Sequence, residues 1–334
     1  VRAVVLVGGF GTRLRPLTLT TPKQMLPVVD QPMIERVVRS LGSHGVTEAV
    51  LSLGYRPDAF MESYPDGTCA GVRLTYAVEP EPLDTAGAVR FAALAAGIDE
   101  TFIVVNGDVL TDLDVSALWD FHRSHGGEGT IALTPVEDPS RYGVVPIDAE
   151  GRVLEFVEKP AVGTAPSNWV NAGTYVLEPS VLTRIDEGRK VSIERETFPT
   201  LAADGSLFAV QSSAYWLDAG TPSSYLQAQL DLIDGLRGDA EHAVHPTVEL
   251  DAGATVSHSV VMRGAHIAKS VELINSVVLP GARIESGSVI ADSIIGAGAS
   301  VGVGSSLQDL TVVGHEVHIE AGSVLVGARV PEGD

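Results

Sequence analysis

A chain of 334 residues with 45% apolar and 19% charged residues has the composition of an ordinary globular protein, long enough for two domains, which excludes the disordered and fibrous classes. Its 22 Lys and Arg against 43 Asp and Glu leave a formal charge of −21, so the summed field repels nucleic acid and anionic membranes. The single cysteine, Cys69, excludes an internal disulfide, fits a reducing compartment and reads as a small buried apolar side chain.

The first apolar run, "VRAVVLV", is too short to span a bilayer and lacks a signal-peptide cleavage site, so a soluble, cytoplasmic protein is expected. It leads into "GGFGTRLRPLTLTTPKQMLP" (8–27), which holds Gly8, Gly9, Gly11, Arg13, Arg15 and Lys23; the first acid of the chain is Asp30. Glycines after a buried strand let backbone N–H groups approach a phosphate. Neither G-x-x-x-x-G-K-[ST] nor G-x-G-x-x-G is present. A surface turn with scattered cations is the structural alternative, but an acid-free segment in so acidic a chain favours phosphate binding.

Met33, Ile34, Val37, Val38 and Leu41 then share one helical face, and "EAVLSL" (48–53), "VRLTYAV" (72–78) and "TFIVVN" (101–106) read as strands. "TAGAVRFAALAAG" (85–97) suits a helix closed by a glycine cap, and Asp112 and Asp114 suit caps of the next helix, "VSALWDFHRS". The alternation predicts an α/β fold: a mixed, mostly parallel sheet with helices on both faces.

Residues 235–247 have no clear period and are read as a linker. Beyond them bulky aliphatics recur every six residues, in Ile295, Val301, Leu307, Val313, Ile319 and Leu325, with earlier series that slip by one residue. A period of six fits neither helix nor flat strand; it marks short strands and tight corners with each aliphatic turned inward. The domain boundaries expected are 1–237 for the α/β domain and 246–334 for a coil of roughly four turns of about eighteen residues.

The opening segment resembles the signature G-x-G-T-R-(L)-x-P-L-T…P-K of sugar-1-phosphate nucleotidyltransferases, and "EPEPLDTAGAV", "VNGDVL", "FVEKP…NAGTYVLEP" and "YWLDAGTPSSY" match in the same order. "EDPSRYGVV" and "SIERETFP" bring it nearest to the mannose-1-phosphate guanylyltransferases, and the six-residue repeat resembles left-handed parallel β-helices, which commonly serve oligomerisation. The resemblance implies transfer of a nucleotidyl group from a nucleoside triphosphate to a sugar 1-phosphate, with release of pyrophosphate and with Mg²⁺ as cofactor.

Such a reaction brings two anions together while a third leaves, so it needs charge neutralisation and in-line positioning more than a general base. The resemblance implies that Arg13 and Lys23 are catalytic, Arg13 on the departing pyrophosphate and Lys23 on the α-phosphate side. It assigns the nucleotide to Leu6, Gly8, Gly9, Gly11, Thr12, Arg13, Glu79, Pro82, Gly87, Asn106 and Gly107. The sugar phosphate falls to Tyr142, Gly143, Glu158, Lys159, Asn171, Gly173 and Trp216, and Mg²⁺ to Asp108 and Asp218, carboxylates of the kind magnesium prefers. A lone Asp108 after a strand would otherwise be a turn residue, and "EKP" a solvated strand end.

Glu79 stands where relatives that use UTP or dTTP usually carry glutamine; guanine presents N1–H and its amino group side by side, two donors that suit a carboxylate. GTP and mannose 1-phosphate are therefore the expected substrates, with a homo-oligomer as the expected assembly. Asp84, where the family commonly has glycine, and Gln24 after Lys23 depart from the nearest pattern. A glucose-1-phosphate thymidylyl-, uridylyl- or adenylyltransferase is the first alternative, and a silent nucleotide-sugar sensor the second. A third is an acyltransferase using His258, His266, His315 or His318; histidines on such coils are expected mostly as solvent-facing corner residues.

Overall fold

The computed structural model describes residues 1–332. By contact the chain forms two compact units that do not follow chain order: Val1–Gly9 with Glu35–Trp216, and Phe10–Ile34 with the residues from Leu217 onward.

The first unit is built on a parallel centre. Arg2–Leu6 lies between Glu48–Leu53 and Phe102–Asn106, and Val72–Val78 pairs beyond Glu48–Leu53. Ala3, Val4 and Val5 are fully buried, as expected of strands covered on both faces. Trp169–Leu177 continues the sheet antiparallel to Phe102–Asn106 and carries Gly129–Pro135 and Gly143–Val144. Helix Asp84–Ala95 turns Val89, Ala92 and Ala93 into the core with Val4, Val104, Phe102 and Tyr175. Gly97 ends it in the left-handed region (φ 63), donating back to Leu94 O.

Asp114 caps helix Val115–His125 by accepting from the Ala117 N–H at 2.9 Å. Asp112 is not the cap; its N–H donates to Tyr215 O. Cys69 is buried, and burial pushes its thiol up to about 11, so it remains a protonated, unreactive side chain at neutral pH.

In the second unit, three parallel ladders of five strands each form the three-flanked stack expected of a left-handed parallel β-helix. The coil is shorter than the expected eighteen residues: Ser259, Ser276 and Ser293 succeed one another at 17 residues, an 18-residue step enters once in each ladder, as from Ser300 to His318, and Val312 to Arg329 is again 17. Five coils therefore fit where about four were expected. Val261, Val278, Ile284, Ile290, Ile295, Val301, Leu307 and Val313 fill the interior.

One flank is buried on its outer side as well, since Val260, Val277, Ile294 and Val312 are as inaccessible as their inward neighbours. Helix Pro222–Ile233 packs against Val260–Val261 there. The segment Phe10–Ile34 is tied to the same unit. Pro27 O accepts from Gln229 Nε2 at 2.9 Å and from the Tyr225 hydroxyl, the Val29 N–H donates to Gln229 Oε1 at 2.8 Å, and the Arg263 N–H donates to Asp30 at 3.1 Å.

Truncating a filled interior leaves a cavity that flanking strands cannot collapse into. Leu307→Ala should therefore lower unfolding stability by about 2–5 kcal/mol, whereas Val326→Ala on the exposed face should change it by less than about 0.5 kcal/mol. Urea denaturation of the two variants checks the contrast.

Candidate active site

The strand Arg2–Leu6 delivers Gly8 and Gly9 at its carboxyl end, where α/β sheets place ligands. Leu6 O accepts from the Gly107 N–H at 3.0 Å, which holds the strand end against the Asn106–Gly107 turn that leads to Asp108. Gly8 is a close-approach position: a Cβ there would stand 3.0 Å from Glu79 Oε1. Glu79 is itself fixed, with Oε1 accepting from the Ser52 hydroxyl at 2.9 Å and Oε2 from the Leu83 N–H at 3.1 Å. Each bond uses one lone pair, so each oxygen keeps acceptor capacity.

Beyond Glu79, Pro82 is exposed and Gly87 is buried; a Cβ on Gly87 would come 2.9 Å from the Leu83 Cβ. The Gly87 and Ala86 N–H groups both donate to Val191 O. Gly87 is thus required by helix packing before any ligand is considered. Asp84 has φ 61, a left-handed backbone that glycine adopts without penalty, and its carboxylate accepts from the Thr85 N–H at 2.8 Å.

A second group gathers in the same unit. Gly143 pairs with Glu158 across two short antiparallel strands. A Cβ on Gly143 would meet the Phe156 ring at 2.5 Å and Glu158 Oε2 at 3.1 Å, so the ring first excludes a side chain. Glu158 Oε1 lies 3.2 Å from Lys159 Nζ, and the Lys159 N–H donates to Tyr142 O at 3.0 Å. Lys159 has φ 50, a conformation that redirects the chain immediately before Pro160. Tyr142 meets Trp216 edge to face with centroids 5.5 Å apart, and Trp216 Nε1 donates to Ala172 O at 2.8 Å.

Asn171 bridges the Gly173 N–H (2.9 Å, to Oδ1) and the Tyr175 hydroxyl (2.9 Å, from Nδ2), spanning an irregularity in the strand register. Gly173 has φ 74, and a Cβ there would fall 2.6 Å from Asn106 Nδ2, so this bulge brings Asn171 and Asn106 to one place.

Sequence reasoning assigned no role to Ser52, Thr85, Tyr175 or Glu194. Tyr175 is fully buried, and burial raises its hydroxyl well above the usual range, with Glu194, Glu158 and Asp108 adding to the effect. Burial likewise raises the Glu194 carboxyl, against hydrogen bonds from Thr85 Oγ1 at 2.7 Å and Ser192 Oγ at 2.9 Å. The polar letter inside the apolar strand "EAVLSL" was the one available signal for Ser52.

The cationic segment lies in the other unit, with Asp218. Gly11 has φ 63, and a Cβ on it would press within 3.0 Å of Thr18 and 3.2 Å of Lys23 Cβ. Thr12–Leu14 and Lys23–Met25 are single 3-10 turns. Arg13 Nη2 stands 3.8 Å from Asp218 Oδ2, and Asp218 Oδ1 accepts from the Gly220 N–H at 2.9 Å. A Cβ at Gly220 would reach within 2.5 Å of Arg13 Nη2, so this glycine lets the guanidinium lie beside the carboxylate. Gln24 is buried, and its Oε1 has no hydrogen-bond partner among the described residues.

Of the coil histidines, His258 and His318 face solvent, bonded to Asn275 and Ser300 respectively. His266 and His315 are both half-buried and so depart from the corner expectation; His315 accepts from the Ala297 N–H at Nδ1, and burial lowers its pKa.

A glycine-lined strand end, a cation-only segment and an ordered Glu–Lys pair define a protein that handles phosphorylated ligands. The chain belongs to the nucleotidyl transferase family, whose model matches residues 2–235, and residues 239–332 match the GMPPB C-terminal domain. A mannose-1-phosphate guanylyltransferase of Mycobacterium tuberculosis is 41% identical over 284 residues, covering 82% of this chain and 78% of that protein. A probable mannose-1-phosphate guanylyltransferase 3 of Oryza sativa is 38% identical over 95% of this chain and 92% of its own. Among solved structures, HddC from Yersinia pseudotuberculosis superposes with a TM-score of 0.59 at 31% identity, covering 68% of this chain and 97% of that one. The same protein complexed with GMP-PN gives a TM-score of 0.58.

The backbone at Asp84 yields a stability prediction. Asp84→Ala should cost about 1 kcal/mol, since it keeps the left-handed backbone and loses the bond to Thr85, whereas Asp84→Gly should stay within about 0.5 kcal/mol of the parent. Equal losses for the two in urea titrations would refute the backbone argument.

Proposed function

We propose that the protein transfers a guanylyl group from GTP to mannose 1-phosphate, giving GDP-mannose and pyrophosphate. An oxygen of the sugar phosphate attacks the α-phosphorus in line, the bond to the β-phosphate oxygen breaks, and pyrophosphate departs with that electron pair. The observation that carries this reading is the Arg13–Asp218 arrangement beside Gly220, in which the guanidinium of an acid-free cationic loop lies next to an acidic oxygen donor from the strand Trp216–Asp218. The extent of identity to named guanylyltransferases points to the same substrates.

In this reading Arg13 spreads its fork over the oxygens of the leaving pyrophosphate, and Lys23 neutralises the α-phosphate. Asp108 and Asp218 offer the hard oxygen donors that suit Mg²⁺, which when bound offsets the charge at the reacting phosphorus. Leu6, Gly8, Gly9, Gly11 and Thr12 leave room for the nucleotide backbone, and Asn106, Gly107, Pro82 and Gly87 complete its surroundings. Lys159 takes the sugar phosphate, while Glu158 and Asn171 accept from and donate to sugar hydroxyls between Tyr142, Gly143, Gly173 and Trp216. Glu79, held by Ser52 and Leu83, reads the base with its remaining lone pairs.

We assign catalysis to residues 1–237 and assembly to residues 246–334, in a cytoplasmic homo-oligomer. The apolar Ile274, Val324 and Val326 exposed on one ladder of the β-helix support self-association. No helix among the described residues is long and apolar enough to cross a membrane.

A pyrophosphate-release matrix of nucleoside triphosphates against sugar 1-phosphates, with Mg²⁺ present, tests the whole reading. Fastest turnover is expected with GTP and mannose 1-phosphate; no release with any pair would point to the silent sensor. Glu79→Gln should shift the ratio of GTP to UTP turnover by about 1–3 kcal/mol, and an unchanged ratio would remove Glu79 as base reader. Arg13→Lys, which keeps charge and loses the fork, should lower kcat by roughly 10²–10³.

A further inference from the structure

The outward positions of one β-helix flank run in register as Val260, Val277, Ile294, Val312 and Arg329. The first four are β-branched, buried side chains that continue the apolar surface of the flank. The fifth breaks the pattern with a long cation. A break in an otherwise consistent repeat marks a position selected for something other than folding.

Arg329 Nη1 donates to the backbone carbonyl of Arg15 at 2.7 Å. The Arg15 N–H in turn closes the Thr12–Leu14 turn by donating to Thr12 O at 3.2 Å, so the carbonyl that Arg329 grips belongs to the residue that ends the turn bearing Arg13, one peptide further along the chain. The next residue is held by shape: a Cβ at Gly314, one coil earlier, would stand 3.2 Å from Pro16 Cβ and 3.3 Å from Pro331 Cδ. At the other end of the turn, the Thr18 hydroxyl donates to Gly11 O at 2.7 Å. A cleft of about 820 Å³, lined by Thr12, Arg13, Arg15 and Arg329 among others, runs beside this contact.

We propose that Arg329 is a positioning residue for nucleotidyl transfer: from the last coil of the β-helix it holds the Arg15 carbonyl and thereby fixes the turn that presents Arg13. The inference rests on the reading of Arg13 as the cation that serves the departing pyrophosphate. A cation whose carrier turn can shift by an ångström loses its alignment with the in-line trajectory, at a cost on the order of a hundredfold in rate.

Arg329→Val tests this with the residue type that the ladder uses in its other coils, so the coil keeps its packing and loses only the grip. The expected result is a fall in kcat of about tenfold to a hundredfold, a KM for mannose 1-phosphate within about twofold of the parent, and a Tm within about 2 °C. A double-mutant cycle with Arg13→Lys supplies the readout that a merely structural role would not move. If Arg329 acts through Arg13, the double variant turns over no more slowly than Arg13→Lys alone. Parent-level kcat in Arg329→Val, or losses that multiply in the double variant, overturn the inference while leaving the Arg13 reading standing. Full turnover in Arg13→Lys overturns the Arg13 reading itself, and this inference with it. Should Arg329→Val lower Tm, the same cycle with Arg329→Lys decides by the same criterion.

Discussion

The backbone carbonyls of Arg15 and Pro27 are points at which the cationic segment is held, and the chemistry proposed for it depends on such attachment. A loop that must keep positive charge for phosphates is badly served by ion pairs with its own protein, because each such pair spends the charge the substrate needs. At these two points the anchorage is neutral, although Arg13 itself lies 3.8 Å from Asp218. Pro27 O takes the Tyr225 hydroxyl and the Gln229 amide, and the Val29 N–H returns a bond to the same Gln229. Arg329 likewise addresses a carbonyl and comes from outside the loop.

The same concern with placement accounts for the glycines. Gly8 and Gly220 admit, respectively, the Glu79 carboxylate and the Arg13 guanidinium to close range, and Gly173 brings a strand bulge against Asn106. Gly143 is among the residues the resemblance gives to the sugar phosphate; its Cβ would first strike Phe156, so the aromatic ring sets the requirement and any ligand inherits the space. Gly87 is similar, required by Leu83 and by the two N–H bonds to Val191. Glycines at such a site therefore report protein packing as directly as ligand clearance.

What was legible in the sequence follows from the range of the interaction involved. The strands at 48–53 and 72–78, the Asp114 cap and the Gly97 stop depend on neighbours a few residues away, and each announces itself in local pattern. The six-residue period was legible because every coil repeats one inward environment, although the 17-residue coil required the slips to be counted as shortened corners. The network of Ser52, Glu79 and Leu83 was not, because it depends on sheet register across strands distant in sequence. Asp84 looked like a chemical departure from the glycine usual there; its φ of 61 makes it first a backbone matter. Gln24, also singled out as unusual, proves to be buried, where packing can constrain it as readily as a nucleotide.

The arrangement gives the β-helix a second physical role beside the assembly proposed for it. Arg13, Lys23 and Asp218 belong by contact to the unit that contains the coils, whereas Glu79, Asp108, Glu158 and Lys159 belong to the sheet. The groups proposed for the nucleotide thus fall in both units, and those proposed for the sugar phosphate belong to the sheet. A phosphoryl transition state gains little from any single contact unless the others are in place at the same moment. Stability in the coils is therefore a condition of precision at Arg13: loosening an inner aliphatic such as Val313, next to Gly314 and one register step from Val330, would be felt at the Arg15 carbonyl before it was felt as unfolding.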